Sequence, residues 1–213
     1  DRRQRQMCIR DSIKGMAEVL NRKQQKFNTS IYLISDEPYR EIVYDGVEVP
    51  YILNYYRNSF VGYSYSKSLS LPGERIGYVV CSSDADDFDN IMQSLNVANR
   101  ILGFVNAPSL FQRVIAKCVD SKVDVNIYKK NRDLLYNHLV KIGFSCVKPD
   151  GAFYLFPKSL IPDDVEFAQR AKKFNLLIVP GSSFKCPGYF RLSYCISYDK
   201  IEKSLDSFDK LGV

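Results

Sequence analysis

Lys67 sits among hydroxyls, in Ser64-Tyr65-Ser66-Lys67-Ser68-Leu69-Ser70-Leu71-Pro72-Gly73-Glu74-Arg75. The runs on either side, Phe60 to Tyr63 and Ile76 to Cys81, have strand composition. The connection between them therefore leaves a strand, turns at Pro72-Gly73 and re-enters the sheet, which brings Ser64, Ser66, Lys67 and Arg75 toward one pocket. Hydroxyls together with a guanidinium suit a phosphate, because arginine offers a planar fork of donors and serine adds short hydrogen bonds. No carboxylate flanks Lys67 to hold it as a structural ion pair. Desolvation and a nearby guanidinium favour the neutral amine, the form that attacks a carbonyl.

Two further groupings carry chemistry. Asp36 follows the apolar run Ile31 to Ile34 and stands three residues before Tyr39. An aspartate after a strand, taken alone, reads as a helix cap or a turn residue. Near the other end, Arg191 lies inside the strand-like Phe190-Arg191-Leu192-Ser193. A guanidinium in an apolar strand is costly unless it meets an anion, and the alternative is an arginine on the strand's solvent face.

The order Asp36-x-x-Tyr39, then Ser64-x-Ser66-Lys67, then Pro72-Gly73-x-Arg75-x-Gly77, then Arg191-Leu192-Ser193 resembles the class I/II aminotransferases, the aspartate aminotransferase-like enzymes of fold type I. The resemblance implies pyridoxal 5'-phosphate as cofactor. It implies that Lys67 forms the internal aldimine and that Asp36 pairs with the pyridine nitrogen, which keeps the ring an electron sink. Tyr39 would hydrogen-bond the ring hydroxyl, Ser64, Ser66 and Arg75 would hold the phosphate, and Arg191 would clamp the substrate carboxylate. The implied reaction moves an amino group between an amino acid and a 2-oxo acid, in a homodimer when the protein is full length. A carbon–sulfur β-lyase using the same cofactor, and a non-catalytic binding module, are the alternatives. Before Asp36 no glycine-rich phosphate turn and no Asn-Pro-containing segment of the family's kind occurs. The chain is therefore expected to be an N-terminally truncated aminotransferase, weak or inactive until the missing part is restored.

The elements that must position these residues follow from periodicity. Ile13, Met16, Val19 and Leu20 predict one face of a helix from Ser12 to about Phe27. Ile31 to Ile34 predicts a strand buried in a parallel sheet, with Asp36 at the carboxyl end where α/β sheets bind ligands. Asp84 to Asp87 predict a helix start, Pro108 another, and Tyr128, Leu134, Leu135 and Leu139 the apolar face of a third, with His138 on its surface. Short strands are expected at 144–147, 152–156, 177–179 and 189–196, and helices at 164–174 and 198–211. Tyr44-Asp45-Gly46 and Tyr55-Tyr56-Arg57 read as a surface turn and a connector. The fold class is thus α/β: the C-terminal part of a mostly parallel large domain with its helices, 12–122, followed by an α+β small domain, 123–213.

Residues 1–11 read apart from the rest, lack an apolar period and are similar to a translated sequencing adaptor, a non-native tail. Four arginines against two aspartates there mean that the net charge falls from +6 to +4 without them. The remaining charge is scattered, so nucleic-acid binding is unsupported. Six cysteines without a Cys-x-x-Cys pair, and a single histidine, leave little for a metal site and suggest buried thiols in a reducing compartment. With no apolar run of about 20 residues and no signal peptide, a soluble cytoplasmic protein with no membrane partner is expected.

Overall fold

The computed structural model describes the backbone of residues 2–212 and the side chains of residues 9–212. The chain divides into two compact units, 1–123 and 124–213. The side chains of the first eight residues, Cys8 among them, lie outside the described residues.

In the first unit helix α1 spans Arg2–Phe27, so the segment read as a separate tail continues into the expected helix. Strands β1 (Leu33–Asp36), β2 (Ser59–Ser64) and β3 (Gly77–Cys81) form a sheet in that order. β1 pairs with β2 in parallel and β3 returns antiparallel to β2. The described sheet is therefore mixed. Between β2 and β3 lies α2 (Tyr65–Ser68), a single turn whose N-cap, Ser64, accepts from the Ser66 N–H. Helices α3 (Phe88–Ile101) and α4 (Ser109–Cys118) follow.

Side chains on β2 alternate. Ser59, Val61 and Tyr63 are buried, whereas Phe60, Gly62 and Ser64 are half-exposed. The same period-2 rule leaves Ile34 on β1 75% exposed and Val79 on β3 57% exposed. β1 is thus covered on one face only, not buried on both as its unbroken apolar run suggests. Tyr44 and Tyr56, read as parts of a surface turn and a connector, are core: each is 2% exposed, and Ile42, Ile52 and Ile76 are buried as well. Arg57 and Asp86 form an ion pair at the opposite sheet edge, where Asn58 donates to Asp86 at 2.8 Å.

The second unit opens with α5 (Val125–Lys141), capped by Asp124. Antiparallel strands β4 (Tyr154–Leu155), β5 (Val179–Pro180) and β6 (Phe190–Ser193) are ordered β4-β6-β5, and α6 (Asp164–Lys172) and α7 (Tyr198–Leu211) complete the unit. Residues 144–147 form no strand. After α5 the chain passes Gly143 at φ 98°, and the Phe144 N–H donates to the Leu139 carbonyl, which closes the helix end. The apolar character of that run serves Phe144, whose ring packs edge-on against Phe167 and Phe190. His138 is half-buried, with Nε2 2.9 Å from Asp209 Oδ1, so it joins α5 to α7 and is not a free surface residue. Of the described cysteines, Cys195 is exposed and the others half-buried, all as free thiols.

Candidate active site

Strand direction assembles the site. β1 and β2 run parallel and end at Asp36 and Ser64, while β3 begins at Gly77 on the same edge because it returns antiparallel. The Tyr65 N–H donates to the Ile76 carbonyl at 3.2 Å, so Arg75 enters at that edge too. A side chain at position 77 would bring its Cβ to 2.3 Å from the Tyr63 carbonyl oxygen. Only glycine lets the two strands approach this closely beside the lysine turn.

Each predicted residue of the first unit has a defined place. Ser64 and Ser66 touch through their hydroxyls at 2.6 Å. Lys67 follows on α2, half-buried, with Nζ 5.7 Å from the centroid of the Tyr39 ring. Asp36 is exposed, and its carboxylate has no partner among the described residues. Its neighbour across the ladder is Gly62, and a Cβ there would meet Asp36 Oδ1 at 4.0 Å. The acid thus borders a patch of bare backbone. Arg75 takes a left-handed φ of 51° and donates from one guanidinium nitrogen to the Pro72 carbonyl at 2.9 Å.

Tyr39 owes its position to neighbours whose roles the sequence did not reveal. Glu37 is 8% exposed, and its carboxylate accepts from Ser35 Oγ at 2.8 Å and from Arg40 Nε at 2.6 Å. Arg40 also donates to the Val49 and Pro50 carbonyls and lies over the Tyr51 ring at 5.0 Å. This ion pair, buried on its Glu37 side, fixes the loop after β1. Its signal in the sequence, Glu37-Pro38-Tyr39-Arg40, was the opposite charges three residues apart, but such a pair is as often a solvated helix pair.

Arg191 belongs to the second unit. β6 carries it opposite Val179 of β5, and its guanidinium lies between the Tyr154 and Phe184 rings at 4.6 and 4.3 Å. No carboxylate among the described residues pairs with it. Two aromatic faces hold the plane of the fork while its N–H groups keep their donor capacity.

The family profile "Aminotransferase class I and II" matches residues 13–208. The chain belongs to the class I and II aminotransferases. Among solved structures, an amino transferase from Eubacterium rectale is 49% identical, with a TM-score of 0.92 over 94% of this chain and 50% of that one. The aspartate aminotransferase of Thermotoga maritima is 30% identical over 94% of this chain and 51% of its own length. The probable aspartate aminotransferase of Methanocaldococcus jannaschii is 33% identical over 92% and 52%. The chain spans about half the length of the relatives it matches. The fold is that of the fold type I aminotransferases, a family that works with pyridoxal phosphate. The donor set fits such a group: an amine, an unpartnered carboxylate beside bare backbone, and hydroxyls and a guanidinium at one sheet edge.

Proposed function

We propose that the whole protein is a pyridoxal-phosphate-dependent aminotransferase moving an amino group between an amino acid and a 2-oxo acid. One observation carries this reading: the strand directions place Asp36, Ser64, Ser66, Lys67 and Arg75 at a single sheet edge. The bound cofactor supplies an aldehyde for the amino group and a ring that accepts the electrons left when the Cα–H bond breaks. Lys67 Nζ would hold the cofactor through its aldehyde and, once free, would carry the proton to and from the substrate Cα. Asp36 would pair with the ring nitrogen, its negative charge favouring the protonated form of the ring. Tyr39, whose ring lies near Lys67 Nζ, would hydrogen-bond the ring hydroxyl. Ser64, Ser66 and the remaining Arg75 donors bind the phosphate. Arg191, braced by Tyr154 and Phe184, grips the substrate carboxylate with its planar fork.

The test is a transamination assay with a panel of amino acids and 2-oxo acids on the full-length protein and its Lys67→Ala variant. Turnover that vanishes in the variant is the expected result, and near-normal turnover without Lys67 ends the proposal. Family likeness also supports a cytoplasmic homodimer for the full-length protein, which gel filtration and cell fractionation check. Among the described residues no helix is long and apolar enough to cross a membrane.

A further inference from the structure

Three residues without an assigned role meet beneath the Lys67 turn. The Tyr63 hydroxyl lies 2.8 Å from Glu41 Oε2 and 2.7 Å from Ser68 Oγ. With one phenolic proton and an acceptor-only carboxylate, Tyr63 donates to Glu41 and accepts from Ser68. The three come from different segments: Glu41 from the loop that carries Tyr39, Tyr63 from the buried side of β2, and Ser68 from the end of α2, next to Lys67. Ser68 is 2% exposed, and its carbonyl accepts from the Val123 N–H at 2.9 Å.

A helix of one turn does not hold itself, since nucleation is unfavourable and only a hydrogen bond or two is gained. α2 therefore takes its orientation from its ends: Ser64 caps the first and Ser68 anchors the last. Stacking of the Tyr63 ring on Tyr78, with centroids 4.9 Å apart, fixes where the hydroxyl points.

We propose that Tyr63 is a positioning residue whose hydroxyl, bridging Glu41 and Ser68, clamps the Tyr39 loop to the Lys67 turn and so sets the Lys67 amine over the Tyr39 ring. The geometry makes the bridge a property of the protein without cofactor; its importance for reactivity rests on the reading of Lys67 as the cofactor lysine. Tyr63→Phe removes one oxygen and keeps the ring stack. Tyr56→Phe is the control, because its buried hydroxyl donates to the Ile31 carbonyl at 2.5 Å, at the opposite sheet edge.

Two measurements on the 213-residue chain decide the matter. Hydrogen exchange without cofactor reads the Leu69, Ser70 and Leu71 amides, which bond back to Tyr65 and Lys67. Exchange there should quicken about tenfold in Tyr63→Phe, the equivalent of one net hydrogen bond, and stay unchanged in Tyr56→Phe. Glu41→Ala, which cuts the bridge from its more exposed side, should do the same as Tyr63→Phe. Borohydride-trapped pyridoxal phosphate should label Lys67 more slowly in Tyr63→Phe, relative to exposed Lys210, and at the normal rate in Tyr56→Phe. Unchanged amides in both bridge variants, or equal loosening in the control, overturn the proposal. A wild-type chain that never labels at Lys67 refutes the cofactor reading, and the exchange data then still decide the bridge.

Discussion

At the scale of single residues, Asp36 and Arg191 are where the proposed function and folding stability should come apart. The Asp36 carboxylate is exposed and has no partner among the described residues, so Asp36→Asn should change folding stability by less than about 0.5 kcal/mol. The same substitution should sharply reduce trapped label at Lys67, because the charge that favours a protonated ring nitrogen is gone. Parallel thermal melts and labelling check both halves. Arg191→Lys keeps the charge and loses the fork, so in the full-length protein KM for the amino acid should rise about tenfold or more, the loss of one charge-assisted hydrogen bond. Steady-state kinetics reads this directly. The proposed site residues stand out in the sequence because their types are tied to specific spacings: Asp-x-x-Tyr, Ser-x-Ser-Lys and Pro-Gly-x-Arg. The groups that hold them do not. Glu37, Arg40, Glu41, Tyr63 and Ser68 interact across segments, and nothing in local spacing marks a tyrosine in β2 as the link between a loop and a helical turn.

At the scale of elements, caps and packing set stability. Asp164 lies at the start of α6, where its carboxylate accepts from the Ser182 N–H at 2.8 Å, the Ser182 hydroxyl at 2.8 Å and the Gly188 N–H at 3.1 Å. The Ser182 N–H first, then the other donors, hold its pKa down at about 2, below the ordinary 3.8. A carboxyl with a depressed folded pKa adds stability that is complete above the unfolded value and vanishes as pH falls through the folded one. The second unit should therefore lose stability between pH about 4 and about 2, and Asp164→Asn should flatten that loss, as acid titration by circular dichroism would show. Phe190 is fully buried against Phe144 and Phe167, with centroids 5.7 and 5.2 Å away. Phe190→Ala should destabilise by about 3–5 kcal/mol in denaturant titrations. Helices with an apolar period were legible: α5 spans Val125–Lys141 and α7 Tyr198–Leu211. Short apolar runs specify strands less well. At 144–147 a closing helix and one buried ring use the same apolar residues that a strand would use.

At the scale of the whole molecule, apolar surface is unevenly covered. One sheet face presents Ile34 and Val79, and α3 buries none of its residues, with Val97 55% and Ile101 79% exposed. Exposed apolar side chains of this kind bind apolar dyes and promote association. Combined Ile34→Lys and Ile101→Lys substitutions should lower dye fluorescence and concentration-dependent association without lowering Tm, since neither side chain is packed. The sequence could not show this: an apolar run reads as buried whether or not something covers it. The central claim remains that the sheet edge at Asp36, Ser64 and Lys67 is a pyridoxal phosphate site. Its most direct test is the visible spectrum of the chain mixed with pyridoxal phosphate, followed by borohydride reduction and peptide mapping. A shifted absorption band with the label concentrated on Lys67 is the predicted result; label spread over exposed lysines, with none preferred at Lys67, would contradict it.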